Sequence, residues 1–160
     1  MQASIKVRWV TEEDISTVEK LIVEWLNWKI PREESIKRAI KNRELLVAEQ
    51  HGKVVGFIHY VMHEDIIDGG LNSFITAFYV IPEFRNKGVG SALLHAAVQN
   101  ALEKGAVGIE ASTANPDARQ LYEQHHFKQF KGKYTMGEIF LELDVEEYKK
   151  NLNAKRRVVL

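Results

Sequence analysis

The sequence predicts an α/β (α+β) fold, a mixed central sheet of about seven strands flanked by about four helices, and three observations carry that prediction. Apolar or alternating runs of strand length recur along the chain, interleaved with amphipathic stretches of helix length. Two of the apolar runs, residues 73–81 and 107–111, are joined by a helical stretch over 88–104, which fits a parallel crossover. Other runs succeed one another through short turns, the pattern of antiparallel neighbours.

Taken in order, Ile5, Val7 and Trp9 alternate with Lys6, Arg8 and Val10, a first strand with one buried face. Thr11 caps the helix after it, with Asp14 three residues on in a capping-box position. Val18, Leu21, Ile22 and Trp25 then recur at helical spacing, continuing to Trp28. Pro31 suits the first turn of a second helix, with Ile36 and Ile40 on one side. Residues 45–49 and 54–62 read as strands joined by a turn at His51-Gly52-Lys53, a hairpin, and 64–71 as a loop. The helix over 88–104 carries Val89, Leu93, Ala97 and Ala101 on one face, a small-residue stripe that lets it lie close on a sheet, and Gly105 ends it. In the next strand, 107–111, Glu110 faces opposite to Val107, Ile109 and Ala111. Asn115 and Pro116 open a helix to about residue 125. Residues 127–130 and 138–143 close the sheet as an antiparallel pair. The expected organisation is one domain over 1–148, then a basic tail over 149–160 that forms a short helix and a loose end.

Composition excludes several functions. Lys plus Arg equals Asp plus Glu at 22 each, so no global field points to nucleic acid or an anionic membrane. With no cysteine there is no disulfide, thiolate metal site or cysteine nucleophile. Neither a signal-like start nor an apolar run approaching 18 residues is found, and a cytoplasmic location is expected. His59 and His63 lie about 13 Å apart in a strand, too far to share an ion, so no metal is expected.

The chemistry concentrates in FYVIPEFRNKGVGSALL, residues 78–94. An apolar strand meets Pro82, and Arg85-Asn86-Lys87-Gly88-Val89-Gly90 then opens a helix. A helix start presents unpaired N–H groups and partial positive charge, and together these bind anions. Gly88 and Gly90 let a phosphate approach the main chain, while Arg85 and Lys87 add charge. A diphosphate fits such a turn. A Walker A loop is absent, because no glycine precedes a Gly-Lys-Ser/Thr at the required distance. A dinucleotide fingerprint has Glu110 at the right distance, 20 residues past Gly90, but Leu93 stands where its third glycine belongs.

Arg85-x-x-Gly88-x-Gly90 after a strand and a proline resembles the acetyl-CoA signature of the GNAT N-acetyltransferase superfamily. The resemblance continues through Asn115 and Leu121-Tyr122 to His126-Phe127, and more loosely back to residue 5. It implies acetyl-CoA as cosubstrate, gripped by the turn Asn86, Lys87, Gly88, Val89, Gly90 and Ser91 with Arg85. It also implies that main-chain groups of Phe78, Tyr79 and Val80 pair with pantetheine amides, and that Asn115 binds pantetheine as well. Tyr122 is implied as general acid toward the CoA sulfur. A phenol has an ordinary pKa of about 10 against about 8.5 for a thiol, so it can reprotonate a nascent thiolate near equilibrium.

A lysine-like amine is neutral in only roughly one molecule in 2,500 at pH 7, whereas an α-amino group loses its proton far more easily. The branch that acetylates protein N-termini has a glutamate five residues before the asparagine, as Glu110 stands before Asn115, and there it accepts the proton. Histone-type members carry a glutamate where Phe74 stands, which argues against their mechanism. His126 replaces the usual glycine and concerns helix termination.

The acceptor pocket in this fold draws on the connection between the first two helices, the loop after the third strand and the last hairpin. Here those supply Trp28, His63, Glu64 and Tyr134, with Trp25, Asp65 and Met136 beside them. The expected activity is transfer of acetyl from acetyl-CoA to a primary amine, a small amine or a protein N-terminus, by direct attack in a ternary complex. The alternative is a non-catalytic CoA-binding sensor of the same fold. Oligomeric state, including a homodimer, is left open by the sequence.

Overall fold

The computed structural model of the protein describes residues 4–67, 69–129 and 139–158. Among them are seven strands and five α-helices: β1 (Lys6–Trp9), α1 (Ile15–Leu26), α2 (Glu33–Asn42), β2 (Leu45–Gln50), β3 (Lys53–Asp65), β4 (Gly70–Val80), α3 (Val89–Glu103), β5 (Gly108–Thr113), α4 (Pro116–Gln124), β6 (Phe127–Gln129), β7 (Ile139–Leu143) and α5 (Val145–Val158). The strands form one sheet in the order β1-β2-β3-β4-β5-β7-β6. The expected fold class is observed, with one helix more than expected. Main-chain contacts gather the chain into two units, Met1–Val61 with Ile75–Asn100 and Met62–Phe74 with Ala101–Leu160, and β3 and β4 run through both.

In the first unit, β1 pairs antiparallel with β2, and β2 with β3. The β2–β3 turn puts His51 and Gly52 in left-handed backbone (φ 53° and 72°), the pairing that matches hairpin twist. Val18 and Leu21 of α1 and Ile36 of α2 are buried as their spacing predicts, whereas Ile22 and Ile40 are half-buried and Ala39 is buried in place of Ile40. Helix α1 stops at Leu26, short of Trp28, because Asn27 turns left-handed (φ 49°) while its N–H donates to the Val23 carbonyl. Helix α2 begins at Glu33, two residues past Pro31. Every member of the α3 stripe, Val89, Leu93, Ala97 and Ala101, is at most 2% exposed, which lets the small residues bring the helix close.

β1 is tied down by charge. Arg8 donates to Asp14 through two nitrogens (2.7 and 2.9 Å) and to Glu49 of β2 (2.7 and 3.0 Å). Asp14 also accepts from the Thr11 N–H and hydroxyl, the expected capping arrangement, here around a single 3₁₀ turn. The ladder alternates less cleanly than expected: none of the four β1 residues is fully buried, and Val10 just beyond them is.

In the second unit, β5 and β6 both pair antiparallel with β7. Helix α3 ends as expected: Gly105 is left-handed (φ 97°) and the Ala106 N–H reaches back to the Ala101 carbonyl. The stretch 64–71 differs from expectation. β3 continues to Asp65 and β4 restarts at Gly70, because Asp65 accepts from the Ile67 N–H and the Asn72 amide and so closes a tight turn. Val107, expected on the core side, is 63% exposed; its N–H donates to the Leu71 carbonyl, and β5 begins one residue later.

The C-terminal stretch forms one helix to Val158. Asp144 caps it by accepting from the Glu147 N–H (2.9 Å), and Tyr148 is buried. Lys128 of β6 bridges Asp144 and Glu147 at 2.9 and 3.1 Å.

The Arg8 guanidinium, followed by the Thr11 groups, lowers the Asp14 pKa from 3.8 to about 2 against the opposing effect of burial. A folded-state pKa below the unfolded one means stability that is present above about pH 4 and lost as the pH falls toward 2. Asp14→Asn removes this linkage. Between pH 5 and pH 2 the unfolding free energy of the wild type should therefore fall by about 2 kcal/mol more than that of the variant. Parallel pH slopes in urea unfolding would show that Asp14 does not hold β1.

Candidate functional site

The first unit holds the strand–turn–helix. After β4, Pro82–Phe84 form a 3₁₀ turn in which the Arg85 N–H donates to the Pro82 carbonyl. Asn86 (φ 58°) and Gly88 (φ 88°) are both left-handed, and together they swing the chain into α3. Asn tolerates that conformation and glycine adopts it without strain. Helical bonding starts with the Ala92 N–H donating to the Gly88 carbonyl, so the amides before it lie in the helix's unpaired first turn. Val89 anchors the start at 1% exposure, while Arg85, Asn86, Lys87 and Gly88 are exposed or half-exposed and Gly90 and Ser91 are half-buried. A rigid, exposed helix start of this kind suits an anion.

Both cations of the turn fold back onto their own chain. Arg85 Nε donates to the Val80 carbonyl (2.8 Å) and its guanidinium lies 5.5 Å from the centre of the Tyr79 ring. Lys87 Nζ donates to the Glu83 carbonyl (2.9 Å) and lies 5.7 Å from the Phe84 ring, as does Lys53. Of the β4 residues, Tyr79 is buried, with Phe78 and Val80 half-buried. Trp25 of α1 stacks on Tyr79 (5.7 Å, 17°) and meets Phe57 of β3 edge-on (6.2 Å, 66°). Trp25 is nonetheless 40% exposed, an edge residue with one covered face.

Gly56 is the residue that sequence reasoning missed here. A Cβ on it would lie 2.8 Å from the Tyr79 carbonyl oxygen and 3.2 Å from both Leu93 Cδ1 and Val80 Cγ2. The missing side chain therefore sets the spacing between β3, β4 and α3. A lone glycine inside a strand pattern is the signal that points to such close approach.

In the second unit, Asn115 caps α4 as expected. Its side-chain oxygen accepts from the Asp117 N–H (2.9 Å), and its own N–H donates to Thr113 Oγ1 (3.0 Å). Tyr122, on the same helix, is 4% exposed with its ring 5.2 Å from that of Phe127. Burial pushes its phenol pKa well up. That widens the difference in acidity between this phenol and a thiol, and favours hydrogen-bond donation over outright proton loss. Glu110 is half-buried on β5, directly opposite Glu142 of β7. His126 is left-handed (φ 70°), doing the turning for which glycine is usual, and its Nδ1 faces Glu147 Oε1 at 3.2 Å.

Of the acceptor-side residues, Trp28 is 59% exposed with Arg32 5.8 Å from its ring, and His63 and Glu64 are exposed on β3 rather than in a loop. Tyr134 and Met136 lie outside the described residues. No group of three His, Asp or Glu side chains that could hold a metal ion occurs among the described residues. Nor is any described helix long and apolar enough to cross a membrane.

A seven-stranded mixed sheet with an open helix start after a central strand is the frame on which the turn sits. Comparison with known proteins makes this specific. Residues 13–127 match the acetyltransferase (GNAT) family, and the chain belongs to it; it is an acyltransferase. It is 31% identical over 101 residues to the "uncharacterized N-acetyltransferase YhfO" of Bacillus subtilis (strain 168), covering 61% of this chain and 68% of that protein. It is 27% identical over 145 residues to N-alpha-acetyltransferase 60 of Xenopus tropicalis, covering 77% of this chain and 59% of that protein. A chain in the crystal structure of the NatC complex bound to Gag peptide and CoA shares the fold, with a TM-score of 0.74 at 19% identity over 88% of this chain and 98% of that one.

Gly56→Ala should cost about 1–3 kcal/mol, because backbone rather than a flexible side chain must yield. Wild-type stability in urea unfolding would mean that the β3–β4–α3 spacing relaxes freely.

Proposed function

We propose that the protein transfers the acetyl group of acetyl-CoA to the α-amino group of a peptide or protein N-terminus by direct attack in a ternary complex. The observation that carries the cosubstrate is the turn in which left-handed Asn86 and Gly88 deliver the chain to the first turn of α3. Amides of residues 86–91 hold the diphosphate there. Arg85, by holding the Val80 carbonyl, orders the end of the strand whose main chain runs along pantetheine. The NatC structure, solved with CoA and a peptide, supports both ligand classes for this fold. N-alpha-acetyltransferase 60 supports the α-amine in particular. So does the chemistry, since an α-amine is deprotonated near neutral pH far more readily than a lysine.

In this reading Tyr122 donates its phenol hydrogen to the departing sulfur and Glu110 accepts a proton from nitrogen. The Asn115 oxygen is committed to its helix cap, so its amide NH₂ is the group offered to a pantetheine carbonyl. Trp28 of the first unit and His63 and Glu64 of the second are each candidates for contact with the acceptor.

The test is CoA release measured with short peptides bearing free N-termini, alongside polyamines, amino acids and lysine-blocked or N-terminally blocked peptides. Turnover should require a free α-amine. Preference for a polyamine would replace the acceptor, and CoA binding without turnover on any amine would favour the sensor. Tyr122→Phe keeps the ring and removes the donor, so kcat should fall by about 10²-fold or more with CoA affinity retained. An unchanged kcat would take the acid role from Tyr122.

A further inference from the structure

We propose that His59, held by Thr76 as the tautomer whose Nε2 carries a lone pair, accepts a proton from the amine being acetylated. This rests on the acetyl-transfer reading and adds to it a residue and a step. Thr76 Oγ1 lies within hydrogen-bond reach of His59 Nδ1 and, at 3.2 Å, of the His59 main-chain carbonyl. A hydroxyl has one proton to give. Given to Nδ1, it would leave hydroxyl and carbonyl oxygens facing each other as two acceptors. Given to the carbonyl, it frees the hydroxyl oxygen to accept from Nδ1–H, and both contacts are favourable. Nε2 is then the unprotonated nitrogen.

The position suits the task. Side chains two residues apart on a strand share a face, so His59 lies in the same row as Phe57, as their β2 partners Leu45 and Val47 also show. Phe57 meets Trp25 of α1, which places His59 on the α1 side of β3. Thr76 stands on β4 two residues before Phe78, away from the β4–α3 turn. A cosubstrate with its diphosphate at that turn and its pantetheine along Phe78, Tyr79 and Val80 runs toward Thr76, about 7 Å along the strand from Phe78. The thioester end and the Thr76–His59 pair therefore lie in the same direction.

Protonation is also suited. Burial lowers the His59 pKa from 6.5, with the Glu44 carboxylate at the start of β2 opposing it in part, so the ring is neutral at pH 7. Thr76, from β4, is uncharged, and the hydroxyl of Tyr60, next along β3, is turned to the Arg43 carbonyl (3.1 Å). In the step itself an ammonium N–H bond breaks and an Nε2–H bond forms. The electron pair stays on the amine nitrogen as the nucleophile, and the imidazolium then passes its proton to water. Two protons leave nitrogen in the whole reaction, one balanced by protonation of sulfur and one released, and the proton His59 takes is the one shed before attack and released to water.

The experiment uses the full chain with acetyl-CoA and a short peptide bearing a free N-terminus. With CoA bound, ¹⁵N–¹H correlation of the imidazoles should show His59 as the Nδ1–H tautomer, shifting toward Nε2–H in Thr76→Val. His59→Gln should bind CoA with unchanged affinity, which reports folding, while kcat/KM at pH 7 falls about 10- to 100-fold. The loss should be recovered as the pH is raised toward the amine's own pKa. Thr76→Ser should keep the wild-type pH–rate profile, and Thr76→Val should not. An Nε2–H tautomer in the wild type, or a wild-type pH–rate profile in His59→Gln, overturns the proposal. Wild-type protein that shows the Nδ1–H tautomer yet turns over no amine would instead sink the transfer reading, and the role of His59 with it.

Discussion

The absence of a side chain at Gly56 is the constraint on which the first unit's geometry depends. It lets β3 lie against the Tyr79 carbonyl, while Leu93 of α3 and Val80 of β4 come within the space a methyl group would fill. From that close packing follow the direction in which α3 leaves the turn and the depth at which Tyr79 sits. Tyr79 in turn carries the Arg85 guanidinium and the Trp25 ring, so one glycine is linked through Tyr79 to both a cation of the β4–α3 turn and the α1 edge. Volume decides the arrangement: interiors pack near crystal density, and a single added carbon has nowhere to go.

Charge acts locally in this protein. A chain with 22 acidic and 22 basic residues sets up no long-range pull on an anion. In the proposed reading, attraction at the β4–α3 turn comes instead from oriented main-chain amides, whose partial charge is fixed by the backbone and takes no reorganisation to present. Arg85 and Lys87, bonded to the Val80 and Glu83 carbonyls, shape the turn as well as charging it. Short-range pairing also governs the N-terminal edge, where Arg8 divides its hydrogen bonds between Asp14 and Glu49 and holds a short, half-exposed strand that has little apolar area of its own.

Much of this fold is legible in the sequence because the controlling interactions are local. The cap at Asn115, the stop at Gly105, the His51-Gly52 turn and the glycine turn before α3 each involve residues within a few positions, and residue type fixes the backbone there. Where expectation and structure differ, the deciding contact lies outside a short window or is outweighed by a stronger local signal. Gly69-Gly70 suggests a long loop, yet Asp65 closes it by reaching Asn72. Val107 looks like the start of a core strand, but its N–H meets Leu71 far back in the chain, and the side chain turns outward. The basic character of the last residues hides the cap at Asp144 and Glu147 that starts α5. Gly56 leaves a local signal, a lone glycine in a strand, but not the identity of what approaches it, and the His59–Thr76 pair leaves none, since its members are 17 residues apart.

Acetyl transfer is at heart a problem of where protons reside, and desolvation acts on each side chain according to the sign of its charged form. A base accepts a proton only from its neutral form, and burial keeps the His59 imidazole neutral by disfavouring its cation, which also weakens it as a base. Burial likewise holds the Tyr122 phenol protonated by disfavouring its anion, so it can donate a hydrogen bond but gives its proton up less readily. The same desolvation therefore moves His59 down and Tyr122 up, each toward its uncharged form.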